Sequence, residues 1–254
     1  MTGWRPTDCH AHTRHSDGKL TVSELVEKAA SLGVRPSVSD HMSCAVAKGV
    51  RTLDGVNAYL DDLQHYPVLR GGEFCWHDTL WRTLPPETVH RFTHRLGSLH
   101  AVRLPDGSYV RAFTKQLPAG LTTAAYMQAH VDSLEHLARE MPVDIIAHPA
   151  IAPPAMHDIP LEERWSEQLE ERAVTALARA GIAFEISNRY PVHERLLRRA
   201  QAAGVRFSLG SDGHSREQVA DIRKPLALAR SIGVRDEDLY DPERHGSRTG
   251  FYAD

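Results

Sequence analysis

Short apolar runs alternate along this chain with longer segments in which apolar residues recur three and four positions apart. The short runs have the length of buried strands, and the longer segments predict amphipathic helices. Thr21 and Glu24 form a capping box that begins the first helix, and Gly33 ends it. The predicted helices cover residues 21–33, 54–65, 122–140, 161–180, 192–203 and 216–232. The predicted strands cover residues 4–10, 34–39, 67–74, 95–99, 143–147, 182–186 and 205–209.

This alternation of about seven strands with helices is typical of parallel β-α units. So many units predict an α/β fold in which the strands form a closed or nearly closed barrel. A chain of 254 residues fits one large domain, so we expect a single domain over residues 1–254. Turn-forming residues at 104–108 interrupt the pattern. We interpret residues 101–121 as an insertion or a lid.

The composition is that of an ordinary globular protein, with 41% hydrophobic and 25% charged residues. A net charge of -3 argues against an extended nucleic-acid surface. No signal peptide and no apolar run near 18 residues is evident, so we expect a cytoplasmic protein without a membrane partner. The three cysteines, Cys9, Cys44 and Cys75, form no Cys-x-x-Cys pair, which excludes a cysteine-based zinc ribbon.

A histidine, an aspartate or a glutamate follows nearly every predicted strand. In parallel barrels the carboxyl ends of the strands meet at one rim, where functional groups lie. Nine potential metal ligands would gather there: His10, His12, Asp17, His41, Glu73, His100, His148, Asp212 and His214. This number exceeds what one zinc ion binds and suits two or three ions. Imidazole and carboxylate ligands without thiolate favour Zn, with Fe or Mn as alternatives.

These residues stand in motifs that resemble those of the PHP (polymerase and histidinol phosphatase) superfamily, in order and spacing, across residues 8–214. The motifs are Asp8-Cys9-His10-Ala11-His12 with Ser16-Asp17-Gly18, Ser39-Asp40-His41, Gly72-Glu73, Gly97-Ser98-Leu99-His100, Ala147-His148-Pro149 and Gly210-Ser211-Asp212-Gly213-His214. The resemblance implies a distorted (β/α)7 TIM-like barrel with a trinuclear metal site.

The resemblance also implies how the ligands are divided. His10, His12, Glu73 and Asp212 would hold one ion. Glu73 would bridge to a second ion, which also takes His100 and His148. Asp17, His41 and His214 would hold the third.

This arrangement implies a metal-dependent phosphoesterase acting on a small phosphate monoester, such as histidinol phosphate or a nucleotide-like substrate. A hydroxide shared by the two ions bridged at Glu73 would attack phosphorus, so no separate base is assigned. Arg189 is our first candidate for binding the substrate phosphate, because the guanidinium fork matches phosphate oxygens. Arg14 and Arg111 are weaker candidates.

Several other polar residues fall close to the candidate ligands or resemble them. Glu185 lies inside a strand and would orient a ligating histidine, and Asp8 and Asp40 invite the same interpretation. His15 is interpreted as a surface residue or a substrate contact, and Cys75 as a core thiol. Five further histidines, His65, His90, His94, His130 and His136, are predicted to lie at the surface.

Two alternatives of other kinds remain. An amidohydrolase-type enzyme that cuts C–N bonds also opens with His-x-His, but it usually carries a bridging lysine at a later strand end, and none occurs there in this sequence. A non-catalytic, metal-stabilised PHP module often loses ligands, whereas this chain keeps all nine.

Overall fold

Parallel strands form the centre of the protein, which is seen here in a computed structural model that describes residues 5–245. The strands are β1 (Ser37–Val38), β2 (His41–Met42), β3 (Leu69–Arg70), β4 (Glu73–Cys75), β5 (Leu96–Ser98), β6 (Ala101–Arg103), β7 (Tyr109–Arg111), β8 (Ile145–Ile146), β9 (Ala183–Ser187) and β10 (Phe207–Gly210). Six of them form one parallel sheet in the order β10-β9-β8-β5-β4-β2, and β1 pairs in parallel with β3. Because all pairs in the six-stranded sheet are parallel, the carboxyl ends of its six strands lie at the same side of the sheet.

Helices make most of these connections. They are α1 (Val22–Ser31), α2 (Leu53–Leu63), α3 (Pro86–Val89), α4 (Thr123–Glu140), α5 (Leu161–Arg164), α6 (Glu167–Ala180), α7 (Glu194–Ala202), α8 (Arg223–Ser231) and α9 (Pro242–His245), with 3-10 turns at Leu80–Arg82, Pro154–Met156 and Asp236–Asp238. The apolar sides of the helices pack inwards. Leu25, Leu60, Leu137, Leu177 and Leu197, one from each of five helices, are at most 1% exposed.

Residues 7–12 complete the ring of strands. On one side Asp8 N donates to Arg35 O (3.2 Å), and Ser39 N donates to Ala11 O (2.8 Å). On the other side Cys9 N donates to Leu209 O (2.8 Å), beside a parallel bridge between Ala11 and Gly213. The first segment therefore lies between the first and last strands as a seventh member, and the predicted α/β barrel is confirmed.

The ends of several helices differ from prediction. Helix α2 begins at Leu53, because Thr52 rather than Asp54 caps it by accepting a hydrogen bond from Gly55 N. The predicted helix over 161–180 is two helices, because Ser166 caps a new helix immediately after the buried Trp165. The predicted helix over 216–232 begins only at Arg223, because Ala220 has φ 61° and cannot continue a right-handed helix.

The segment 101–121 contains an antiparallel hairpin made of β6 and β7. Leu104 N donates to Ser108 O (2.8 Å) at its turn, and Arg103 N donates to Ser133 Oγ (3.0 Å) on α4. The hairpin therefore stands outside the parallel ring while one of its strands packs on α4. Within residues 5–245, no helix combines the length and the apolar character needed to cross a bilayer.

Candidate metal centre

The carboxyl ends of the strands bring all nine predicted ligands together. They form four overlapping groups in which the possible ligand atoms lie within 4.8 Å of one another. The groups are His12, Asp17, His41 and His214; His10, His12 and Asp212; His10, Glu73 and His148; and His41, Glu73 and His100. Most of these side chains are buried, whereas Asp17 (39% exposed) and His214 (19% exposed) lie at the open side.

Glu73 occupies the middle of the cluster and is fully buried. Its Oε1 lies 3.2 Å from His100 Nε2 and 3.2 Å from His148 Nε2. Its Oε2 lies 2.7 Å from His41 Nδ1 and 3.6 Å from His10 Nε2. His12 Nε2 also lies 3.8 Å from Oε2. The two carboxylate oxygens thus face different histidines, which is the geometry that a bridging carboxylate needs.

Two histidines connect the groups that the sequence resemblance separates. His12 Nε2 lies 3.4 Å from Asp212 Oδ1, while its Nδ1 lies 3.8 Å from Asp17 Oδ1. His41 presents Nδ1 to Glu73 and Nε2 to Asp17, at 3.6 Å for the latter pair. Asp17 Oδ1 also lies 3.3 Å from His214 Nε2. The open and buried parts of the cluster are therefore continuous.

The ionisable side chains of the cluster strongly shift one another's pKa values. Burial alone would raise the pKa of Glu73, but His100, His41 and His10 hold this pKa well below its usual range. Burial together with the nearby His41 lowers the pKa of His12 to about 4. His12 is therefore neutral near pH 7. Against the effect of burial, Glu73 raises the pKa of His41 to about 10, and Cys75 with Glu73 raises the pKa of His100 to about 9, so a bound cation would displace protons from these rings.

The chemistry of the cluster fits divalent cations. His12 Nδ1 and His148 Nδ1 are buried and form no hydrogen bond with any residue in the described part of the chain, and Glu73 Oε2 and His41 Nδ1 contact only side chains of the cluster itself. Buried polar atoms without a partner are costly and need an explanation. A divalent ion bound by imidazole nitrogen and carboxylate oxygen would satisfy them without thiolate.

Glu185, inside strand β9, contacts a candidate ligand on the side facing away from the cluster, in agreement with the orienting role predicted from the sequence. His10 Nδ1 donates to Glu185 Oε1 (2.7 Å), which leaves His10 Nε2 facing the cluster. The second oxygen of Glu185 accepts from the backbone N of His148, a residue held at φ 32°. Gly210 makes room for this carboxylate, because a Cβ there would lie 1.9 Å from Glu185 Oε1.

Asp8 and Asp40 act differently from the prediction, since neither contacts the ring of a candidate ligand. Asp8 accepts from Ser211 N (2.8 Å), Ser211 Oγ (2.6 Å) and Ala220 N (3.0 Å), which ties the first segment to the last strand. Asp40 accepts from Thr13 N (2.8 Å) and Thr13 Oγ1 (2.6 Å), within the turn that leads to Asp17. Both carboxylates hold backbone segments that carry ligands.

Two of the histidines predicted to lie at the surface depart from that prediction. His94 and His130 are fully buried rather than at the surface, and they donate to Cys9 O (3.0 Å) and Pro149 O (2.8 Å). His130 shares a helix face with Leu134 and Leu137, a spacing that could have revealed its burial. Cys75 is buried as predicted, but its Sγ also lies 3.0 Å from His100 Nδ1.

His15 lies against α2 rather than the cluster. Its Nε2 is 2.9 Å from Asp62 Oδ2, and its ring meets the edge of Tyr59.

A cavity of about 390 Å³ opens above the cluster. Arg189 lines it, with Nη1 3.1 Å from His214 Nδ1 and 3.8 Å from Asp212 Oδ1. Of the weaker arginine candidates, Arg111 lines the cavity, whereas Arg14 binds Lys19 O and pairs with Glu24 elsewhere. The remaining lining residues include Lys48, His77, Phe113 and Tyr190. The sequence patterns at the strand ends gave no signal for these loop residues.

Solved structures share this fold although their sequences differ. The histidinol phosphate phosphatase from Lactococcus lactis subsp. lactis Il1403, complexed with zinc, L-histidinol and phosphate, matches with a TM-score of 0.72 at 16% identity over 91% of this chain and 95% of that chain. A putative histidinol phosphatase from Listeria monocytogenes matches with a TM-score of 0.69 at 14% identity over 86% of this chain and 99% of that chain. No family model and no curated protein sequence matches this chain significantly. The PHP-type fold implied by the motifs is thus confirmed by structure: the chain has the fold of the histidinol phosphate phosphatases.

Proposed function

We propose that this chain is a metal-dependent phosphoesterase that hydrolyses a small phosphate monoester, with histidinol phosphate and nucleotide-like esters as candidates. One observation carries the proposal: nine histidine and carboxylate side chains converge around the buried Glu73, beneath a cavity that Arg189 lines. The shared fold with histidinol phosphate phosphatases supports the same reaction class.

The nine residues would hold two or three divalent ions, with zinc favoured over iron or manganese. Zinc is favoured because the Lactococcus lactis structure is a zinc complex and because the ligands are imidazoles and carboxylates. When bound, such ions activate water near neutral pH and stabilise the charge of a reacting phosphate. We assign no separate general base.

The remaining residues would bind and orient. Arg189 would donate its guanidinium hydrogens to phosphoryl oxygens, since its Nη1 lies beside His214 at the edge of the cluster. Glu185 would keep His10 in one tautomer and one orientation through the 2.7 Å hydrogen bond to Nδ1. Tyr190, whose ring centroid lies 5.0 Å from that of His148, would exclude water from one wall.

We propose that residues 1–254 form one domain in which the 101–121 segment acts as a lid over the cluster. Arg111 and Phe113 of this segment line the cavity, and the ring centroids of Phe113 and His100 lie 5.5 Å apart. The cytoplasmic location expected from the sequence stays a prediction.

A screen of phosphorylated metabolites against the metal-loaded protein tests the proposal, with phosphate release as the readout. The screen includes histidinol phosphate, nucleotides and, as a separate arm, N-acyl amides. Release of phosphate from at least one ester supports the proposal. Hydrolysis of amides without any phosphate release would favour the amidohydrolase alternative instead.

A further inference from the structure

The charged side chains that line the cavity differ in whether they are free to bind a ligand. Among the described residues that line it, every carboxylate is a candidate metal ligand: Asp17, Glu73 and Asp212. Three cationic side chains, Lys48, Arg111 and Arg189, line the same space. Two divalent ions would balance these three carboxylates together with the buried Glu185. The three cationic side chains would therefore give the filled cavity a positive potential toward whatever enters it.

The three cations fall into two groups. Arg189 contacts His214 and lies near Asp212, beside the cluster. Lys48, between β2 and α2, and Arg111, on the hairpin, are exposed, and the side chain of neither forms a hydrogen bond or an ion pair with another residue in the range 5–245. They are thus available to a ligand, on segments of the chain separate from the one that carries Arg189.

A substrate whose second group is cationic fits this cavity poorly. The ammonium of an amino alcohol phosphate would meet Lys48 and Arg111 without a free carboxylate among the described lining residues. Like charges at close range repel. Val46 and Phe113, which line the same cavity, suit a carbon framework between two charged ends.

We infer that the substrate carries a second anionic group, a phosphate or a carboxylate, which Lys48 and Arg111 bind while the scissile phosphate lies at Arg189. The inference rests on the proposed phosphoesterase function and narrows its substrate class. It predicts that histidinol phosphate is a poorer substrate than bisphosphates and phosphorylated acids.

The test compares matched esters that differ only in the second group. The series consists of the monophosphates and bisphosphates of linear alkanediols from propane-1,3-diol to hexane-1,6-diol and of the phosphates of ω-hydroxy acids with the same chain lengths, with histidinol phosphate alongside. We expect kcat/KM for the best anionic ester to exceed that of its monophosphate by about tenfold or more, as for a hydrogen bond to a charged group. The two anionic arms show whether phosphate or carboxylate is preferred.

The double variant Lys48→Met with Arg111→Met should reduce this ratio to about one. Arg103→Gln is the matched control, because Arg103 is an exposed arginine on the same hairpin but does not line the cavity. The control should keep the wild-type ratio. Thermal melting checks that all variants fold.

Calorimetric binding of alkane-α,ω-bisphosphonates and of alkyl monophosphonates provides a readout that needs no turnover. Tighter binding of the bisphosphonate, lost in the double variant, supports the inference. Equal binding of both ligands, or a kcat/KM for histidinol phosphate above every anionic ester, overturns it while leaving the phosphoesterase proposal intact. If no ester is hydrolysed, the phosphoesterase proposal fails and the calorimetry alone decides whether the cavity prefers dianionic ligands.

Discussion

At the scale of single residues, the chemistry of the centre depends on which ring nitrogen faces which neighbour. Strand ends in a parallel barrel converge, so the nine clustered residues could be predicted from their positions after short apolar runs. The orientation of His12 and His41 between two groups could not, because it depends on side-chain rotation. The contact between Cys75 Sγ and His100 Nδ1 escaped prediction for the same reason.

Glu185→Gln should weaken metal binding by roughly 10- to 100-fold, because the substitution removes the charge that holds His10 Nδ1. Competition with a chromophoric chelator measures this affinity. Glu170→Gln is the control, since Glu170 is equally buried but lies in the α6–α7 arginine network. Unchanged metal affinity in Glu185→Gln would refute the orienting role.

Arg189→Met should lower kcat/KM for phosphate esters by roughly 10- to 100-fold, the loss expected for a charged hydrogen bond to phosphate. Steady-state kinetics measures it. Arg14→Met serves as the control, because Arg14 pairs with Glu24 away from the cavity, and it should keep wild-type kinetics. Equal kinetics in the two variants would remove Arg189 from the substrate site.

At the scale of elements, the sequence predicted the ends of helices correctly where a single capping residue or glycine determines them. Thr21 and Glu24 form the expected capping box, and Gly33, Gly181 and Gly204 adopt positive φ where helices end. Tertiary contacts decided the remaining ends. Ala220 donates its N–H to the buried Asp8, and this long-range bond delays α8 until Arg223.

The hairpin supplies an element-scale test. Phe113→Ala should raise KM by roughly 2- to 10-fold, because the ring against His100 would be lost from the cavity wall. Tyr109→Ala is the control: Tyr109 is 50% exposed and Phe113 52%, but Tyr109 does not line the cavity. A higher KM in Phe113→Ala alone, with unchanged melting temperatures, fits a lid. Equal KM values in both variants would contradict that role.

At the scale of the whole molecule, closure of the ring brings residue 10 beside residue 212. The motifs and their order were enough to predict this arrangement, which the hydrogen bond from Asp212 N to His10 O (2.8 Å) makes explicit. The cavity above it was not predictable, because Lys48, His77 and Phe113 come from irregular connections without a periodic pattern. The substrate preference that we infer therefore depends on side chains whose positions are known only from the folded structure.

Metal removal should destabilise the whole fold, because buried carboxylate and imidazole groups from most of the strands lose their common partner. Binding at about 1,000 times the dissociation constant is worth roughly 4 kcal/mol, or roughly 8 to 16 °C in melting temperature for a chain of this size. Calorimetry of chelated and zinc-reloaded protein checks this. Identical melting temperatures would contradict an ion-filled centre.

Hydrolysis of p-nitrophenyl phosphate, measured together with the bound metal content, is the most direct test of metal-dependent phosphoester hydrolysis by this protein. We expect the metal-loaded protein to release p-nitrophenol, thorough chelation to abolish the release, and zinc to restore it. Glu73→Ala should lose both activity and the metals that Glu73 would bridge. Activity that survives complete chelation, or a fully active Glu73→Ala protein, would rule out a metal-dependent phosphoesterase centred on Glu73.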